Sequence, residues 1–378
     1  MKKTIVLNAQ GNKGWIGGLY YVKNIAFQLS LNKSIMDDYD LMVCTSSENY
    51  PVFCDLPQSI IVKKVDYKNG IVGKIQKFLL YKINRVSYVF PFAKGSKLIG
   101  LKSISWIPDF QHYHYPENFS DEELLRRKKR EQGILESKTP LVLSSNDCRR
   151  DYLEKNKFNS EYVYVVPFVS FIEPELKRLS QIEELEILEK YHIENQKYAC
   201  ISNQFWRHKN HIVILQAIKI LGSQLGSFRF VFTGLPKDSR DHDYYNSINR
   251  LLQDPQVSNH VCVLGFIDRI DQIAIMKNAQ FIIQPSLFEG WGTVVEDAKV
   301  LDKTILLSDI PVHREQMNSK CKLFDPHNPQ ALAQLIEKEI VIEHNDNVES
   351  GIADMYKRAR EYSQGFEQLL RDQKRGKV

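Results

Sequence analysis

Short apolar runs and longer stretches of helical spacing alternate along the whole chain, with turn residues between them. In the first half the apolar runs fall at residues 3–7, 40–45, 59–65, 103–107, 140–145 and 162–166, and each predicts a buried strand. Leu19, Val22, Ala26 and Leu29 recur on one helical face over residues 19–30. Ser120 and Glu123 form a capping box for a helix reaching Leu135, and residues 146–155 predict another helix. Pro167 and Pro174 bracket a linker, after which the alternation restarts. Strands are then predicted over residues 198–202, 228–233, 261–265, 281–284 and 304–307. Helices are predicted over 185–191, through Val213, Ala217, Ile220 and Leu221, over 271–277, and from Asn328 through Leu335. A last helix starts at Ile352. Strand followed by helix, in two successive halves, predicts an α/β chain with two doubly wound domains. The boundaries read as 1–170 and 171–351, with the C-terminal helix at about 352–374.

Composition narrows this without changing it. A chain of 378 residues exceeds one ordinary core, in line with two domains. Its 43% hydrophobic and 26% charged content is that of a soluble globular protein with a large core. The net charge of +5 suits an anionic substrate or a membrane surface without requiring either. No nucleic-acid motif accompanies it, so nucleic acid is not an expected partner. Cysteines 44, 54, 148, 200, 262 and 321 form no CxxC pair and have no metal spacing. They read as reduced residues of a cytoplasmic protein, most of them buried. The apolar run in MKKTIVLNAQ is too short for a signal peptide and reads as a first strand. No run approaches 18 apolar residues, so any membrane contact would be peripheral.

Candidate chemistry concentrates in four places. After the strand ending at Ile283 come Gln284, Pro285, Ser286, Glu289 and Gly290-Trp291-Gly292, then a helix with Val294, Ala298 and Leu301 on one face. Free N–H groups at such a helix start suit an anion or a polyhydroxyl ligand, and Glu289 can accept hydrogen bonds from hydroxyls. A glycine-rich turn containing Gly14, Gly17 and Gly18 follows the first strand and has the layout of a phosphate cradle, although it is neither GxGxxG nor a P-loop. Asn203-Gln204-Phe205-Trp206-Arg207-His208-Lys209 follows the strand at 198–202. The loop Trp106-Ile107-Pro108-Asp109-Phe110-Gln111-His112-Tyr113-His114 follows the strand at 103–107. Asp109, His112 and His114 are possible metal ligands but lack a further partner, and an aromatic packing loop is the other reading. Asp241-His242-Asp243 reads as a solvated loop with an N-cap acid rather than as a metal pair.

Together these stretches resemble the retaining GT-B glycosyltransferases of the group 1 family (glycosyltransferase family 4). Glu289-Gly290-Trp291-Gly292 matches their donor-sugar loop, and Gly17-Gly18 is similar to their donor-facing double glycine. The WIPDFQH-x-H-x-P string is similar to their acceptor-side loop, where a His lies near the reacting sugar. Lys209 falls at the family's lysine on the donor diphosphate. Gln204 stands where the family has an arginine, and Arg207 is the candidate replacement. Phe266 and Ile267 fall where the base is flanked, and Glu315 where the family carries another acid. The family's second acid falls in register at Asp297, with Glu296 one residue short. Helix geometry places Asp297 at the edge of the buried face and Glu296 toward solvent, paired with Lys299.

The resemblance implies two Rossmann-like domains facing a cleft, 1–170 binding the acceptor and 171–351 the nucleotide-sugar, with the last helix packed back on the first. It implies transfer from a nucleotide-diphospho-sugar, with retention and without a metal or other cofactor, to a glycan or lipid-linked acceptor of surface polysaccharide synthesis. The leaving diphosphate takes the acceptor proton. Lys209 and, less directly, Arg207 hold the diphosphate, joined by the amides of Gly17 and Gly18. Glu289 and the amides around Gly290, Trp291 and Gly292 hold sugar hydroxyls, His112 sits at the sugar or the acceptor, and Asp297 holds the ribose. A sugar-nucleotide epimerase on the same fold and a non-catalytic sugar-nucleotide-binding partner of a polysaccharide assembly remain as alternatives. A glycosidase would need a second carboxylate facing Glu289.

Two basic stretches complete the picture. Residues 73–89 interleave Lys74, Lys77, Lys82 and Arg85 with Ile75, Phe78, Leu79, Tyr81 and Ile83, predicting a basic amphipathic helix. An ordinary surface helix and peripheral docking to an anionic membrane both fit it. The run 126–130 reads as a solvated helix face.

Overall fold

The computed structural model describes residues 2–9, 16–66, 70–91, 101–156, 160–236 and 242–376. The chain forms two compact units, Met1–Phe171 with Tyr356–Val378, and Ile172–Met355.

The first unit contains β1 (Lys3–Asn8), α1 (Gly17–Ser30), α2 (Lys33–Asp38), β2 (Tyr39–Thr45), β3 (Ile60–Lys64), α3 (Gly70–Ile83) and β4 (Val86–Phe90). It continues with β5 (Lys102–Ser103), β6 (Ser105–Trp106), α4 (Gln111–His114), α5 (Asp121–Ser137), β7 (Leu141–Leu143), α6 (Asn146–Asn156) and β8 (Val163–Val165). All pairings are parallel, in the orders β3-β2-β1-β4-β5 and β6-β7-β8. Residues 102–106 join the two sheets, pairing with β4 through Lys102–Ser103 and with β7 through Ser105–Trp106. Buried on both faces, β1 is continuously apolar from Ile5 to Leu7, as a central parallel strand must be.

The second unit contains α7 (Glu173–Lys177), α8 (Gln181–Lys190), β9 (Tyr198–Ser202), α9 (His211–Leu221), β10 (Arg229–Thr233), α10 (His242–Leu252) and α11 (Pro255–Ser258). There follow β11 (Val261–Gly265), α12 (Arg269–Asn278), β12 (Phe281–Gln284), α13 (Thr293–Val300), β13 (Ile305–Ser308), α14 (Pro311–Gln316), β14 (Cys321–Phe324), α15 (Pro329–Glu339) and α16 (Val348–Lys374). The six strands are parallel in the order β11-β10-β9-β12-β13-β14, the doubly wound arrangement. Phe230, Phe232, Phe281 and Ile283 pack against Val213, Ile214 and Ala217 of α9 and Leu332 and Ile336 of α15. Each large side chain buried there contributes about 1.5–3 kcal/mol. The last helix begins in this unit, and from Tyr356 it belongs to the first. There Asn32 Nδ2 donates to Ser363 Oγ (3.0 Å), and Tyr164 donates to Asp372 (3.1 Å).

The basic helix differs from its expectation in two ways. It ends at Ile83, and Val86–Phe90 is a strand, because these residues pair with β1 (Ile5↔Tyr88, Leu7↔Phe90). Arg85 turns the chain between them in the left-handed region (φ 51). Tyr81 of α3 is buried against β1 and β2, but six other apolar side chains of the helix point outward, from Leu79 at 48% exposed to Ile83 at 77%. No described helix is long and apolar enough to cross a membrane. Cys54 is exposed, while Cys44, Cys148, Cys200 and Cys321 are buried thiols.

Candidate active site

In the second unit β9 and β12 lie side by side, and the chain winds outward from them in opposite directions. Loops leaving the carboxyl ends of two such strands diverge, and ligands bind in the opening. The β9 loop makes a 3₁₀ turn over Arg207–Lys209 and is closed by Asn210 in the left-handed region (φ 55), which Asn tolerates better than most residues. Asn210 Nδ2 donates to the carbonyls of Pro285 (3.2 Å) and Pro326 (2.8 Å), and Leu287 N–H donates to the His208 carbonyl (2.7 Å). The loops after β9, β12 and β14 are therefore fastened together. A Cβ on Gly234, just past β10, would meet the Asn203 carbonyl oxygen at 2.1 Å, so only glycine permits this approach.

This framework brings Lys209 to Glu289. Lys209 Nζ donates to Glu289 Oε1 at 2.6 Å, and the two side chains are 15% and 10% exposed. Ser286 Oγ (2.7 Å) and Gln284 Nε2 (2.9 Å) donate to the same oxygen, and Asn203 Nδ2 holds Gln284 Oε1 (2.8 Å). Three donors thus converge on Oε1. Burial works to raise the Glu289 pKa, but the charges of Lys209, His208 and His313 and the Lys209 hydrogen bond outweigh it, holding the carboxyl at about 2.

His313 of α14 is wholly buried behind the pair. Its Nδ1–H donates to the Ser308 carbonyl (2.9 Å). Burial pulls the imidazole down to about 4, against the opposing influence of Glu289 and Ser308, so it is neutral near pH 7. Ser308 Oγ donates to the Ser286 carbonyl (2.6 Å). Sequence reasoning placed Gln284 and Ser286 in this stretch without giving them a role, and it missed Ser308 and His313. The available signal was polar residues at the ends of apolar strands, FIIQPS and ILLSD.

The turn after Glu289 corrects one expectation. Gly292 is not a free amide donor, because its N–H goes to Gln316 Oε1 (2.9 Å) while Gln316 Nε2 donates to its carbonyl (3.0 Å). Gln316 thus clamps both backbone groups of Gly292, the N-cap of α13, which has no side chain to cap the helix. Trp291 is buried beside it.

The two acids of α13 bring further corrections. Glu296 does not face solvent. It is fully buried and takes Lys299 Nζ (3.2 Å) and Gln316 Nε2 (3.0 Å). Asp297 is also fully buried and is held in a fork by Arg269 (2.8 and 2.6 Å), so it presents no surface to a ribose. The helix-face argument failed because α13 is buried on every side from Val295 to Val300, and only Thr293 and Val294 at its start are partly exposed. Gln316 of α14 lies along one flank, and α16 comes so close to its end that a Cβ on Gly351 would meet the Val300 carbonyl oxygen at 2.2 Å.

The model of the family "Glycosyl transferases group 1" matches residues 183–374, half of the chain. The chain belongs to this family. No curated protein matches the sequence. Among solved structures, a glycosyltransferase from Rickettsia africae superposes with a TM-score of 0.62 at 16% identity, covering 98% of this chain and 97% of that one. HepE from Anabaena, in complex with UDP and glucose, gives 0.65 at 13% identity, covering 99% and 98%. Sucrose-phosphate synthase from Thermosynechococcus elongatus gives 0.61 at 13%, covering 99% and 98%. The fold is therefore GT-B, with two Rossmann-like domains.

The remaining candidate residues of this glycosyltransferase lie as follows. Arg207 is exposed, with its guanidinium over the Tyr244 ring (5.5 Å). Phe266 is exposed and Ile267 half-buried where β11 ends, two strands from β9. Gln204 Oε1 accepts from Leu235 N–H (3.0 Å), and Glu315 is exposed on α14. Asp243 lies in the first turn of α10, and Asp241 is outside the described residues. In the first unit Gly17 and Gly18 open α1, while Gly14 is outside the described residues. His112, on α4, bonds to Glu131 (2.9 Å), and His114 bonds to Asp151 (2.9 Å). The two histidines thus turn to different carboxylates.

Proposed function

We propose that the chain is a retaining, metal-independent transferase. It moves a sugar from a nucleotide-diphospho-sugar to a glycan or lipid-linked acceptor, in the synthesis of a surface polysaccharide. The observation that carries this reading is the half-buried Lys209–Glu289 pair at the carboxyl ends of the two switch-point strands. An ammonium group has three donors, and Glu289 uses one, leaving two for a diphosphate. The three bonds to Glu289 all fall on Oε1, which leaves Oε2 to accept from donor-sugar hydroxyls. In the transfer step the C1–O bond to the diphosphate breaks and a C1–O bond to the acceptor forms on the same face. The leaving phosphate oxygen takes the acceptor proton. Lys209 stabilises the charge that develops on that oxygen, and the fixed geometry of the site supplies orientation. Arg207, Gly17 and Gly18 serve the same diphosphate, Phe266 and Ile267 flank the base, and His112 contacts a sugar. Uridine diphosphate is the first nucleotide to test, since HepE was solved with it.

The test is nucleotide release from diphospho-sugar donors with and without acceptor. A transferase releases the nucleotide in step with a new glycoside. An epimerase gives an isomer or its hydrolysis products, and a binding partner gives neither.

The reading extends to peripheral membrane contact through α3. Ile71, Val72, Ile75, Phe78, Leu79 and Ile83 are all exposed, beside Lys74 and Lys82, and the helix carries no acidic residue. An apolar ridge flanked only by cations suits the interface of an anionic bilayer. Full-length protein should sediment with phosphatidylglycerol-containing vesicles, and the double variant Ile75→Asp, Phe78→Asp should not. Equal binding by both proteins, or by neither, would remove α3 from this role.

A further inference from the structure

Only two residues of α5, Glu131 and Ile134, are buried, and one of them is a carboxylate. Burying a charge is costly, and a buried ion pair is seldom more stabilising than apolar side chains of the same size. Fold stability alone therefore gives little reason for Glu131. Its two oxygens reach back to the loop after β6. Oε1 meets His112 Nε2 at 2.9 Å, and Oε2 accepts from the Tyr113 hydroxyl. The His112 and Glu131 side chains are 6% and 7% exposed. Phe119 meets the imidazole edge-on (6.3 Å) and the Tyr113 ring lies 4.4 Å from it, so the ring cannot turn freely. An ionised carboxylate can only accept, so the Nε2 facing it carries a proton. Nδ1 is then the atom left over, and among the described residues it has no hydrogen-bond partner although it is buried.

We propose that Glu131 is a positioning residue for transfer: it fixes His112 in the tautomer that keeps the Nδ1 lone pair free to accept from a sugar hydroxyl. This rests on the proposed role of His112 at the sugar. In the neutral ring the two nitrogens have opposite roles, and the bond made by one sets what the other can do. With Nε2–H committed to Glu131, Nδ1 is an acceptor aligned by packing on both sides. Without the carboxylate the ring can carry its proton on Nδ1, where it would repel the donor hydrogen of the hydroxyl. Glu131 itself touches no substrate.

The experiment compares wild type, Glu131→Gln, His112→Asn and the double variant in the full chain. ¹⁵N-histidine spectra, with the His112 signals assigned by their loss in His112→Asn, report the tautomer without substrate. The wild type should show a protonated Nε2 and a bare Nδ1, and Glu131→Gln a mixture. With the diphospho-sugar that the wild type turns over, Glu131→Gln should lower kcat/KM ten- to a hundredfold, and the double variant should be no worse than His112→Asn alone. The KM that rises identifies the hydroxyl, on the donor or on the acceptor. An unchanged tautomer in Glu131→Gln, a loss under threefold, or losses that simply multiply in the double variant would each overturn the proposal. A wild type that turns over no diphospho-sugar would instead contradict the transferase reading, and the spectra would still decide whether Glu131 sets the tautomer.

Discussion

Glu289 has three donors on one oxygen, a neutral His313 behind it and a cation beside it. Glu289→Gln keeps the shape but removes the charge that holds Lys209. It should cost at least tenfold in kcat/KM, about 1.4 kcal/mol, and a smaller loss in steady-state assays would end its assigned role. The same carboxylate should register in acid. Its folded pKa, about 2, lies below the ordinary 4.5. Its contribution is therefore present above about pH 4.5 and is lost as pH falls toward 2, because the unfolded chain takes up the proton first. Calorimetric scans should show the Tm gap between wild type and Glu289→Gln narrowing over that window, whereas a gap independent of pH would mean the carboxyl is not depressed. Lys209 and Glu289 were each legible from local signals, a strand end followed by a turn. Their contact, 80 residues apart in sequence, was not.

The elements that carry the site are packed more completely than local periodicity can indicate. Spacing identified α13 as a helix, but its burial depended on packing by α14 (Pro311–Gln316) and α16 (Val348–Lys374), which its own periodicity does not show. Reachability now separates its two acids. Asp297 holds Arg269, whose side chain is 16% exposed at the start of α12, just past Phe266. Glu296 holds Lys299, which is 4% exposed. Asp297→Ala removes the fork that aims Arg269, leaving its bond to Gln272 (2.9 Å), and should weaken nucleoside diphosphate binding tenfold or more. Glu296→Ala should lower Tm while leaving binding within threefold. Calorimetric titration beside thermal scans checks both, and the reverse ranking would mean that Glu296 is the one acting on the nucleotide. The outward apolar face of α3 was hidden for the same reason: its period was plain in the sequence, but its exposure among the described residues was not.

At the scale of the whole molecule, alternation of strand and helix in two halves was enough to predict two doubly wound α/β domains, because parallel sheets built from such repeats have few topologies, whereas GT-B itself was read from the resemblance of the loops around Lys209 and Glu289. Chemistry was less legible, since the residues that hold the site together, Gln316, His313 and Ser308, come from the βα segment β13–α14, which has no glycine-rich signal. The charge inventory predicts that transfer survives EDTA, with Lys209 doing the work of a cation at the diphosphate. Activity lost in chelator and restored by Mg²⁺ or Mn²⁺ would contradict this. The most direct test of the central claim follows donor and product together by proton NMR, with wild type and Lys209→Ala and a nucleotide-diphospho-α-sugar as donor. The account predicts nucleotide release coupled to a new α-glycoside, its anomeric configuration retained, and a loss of at least a hundredfold in Lys209→Ala. A β-glycoside, or transfer undiminished without Lys209, would contradict it.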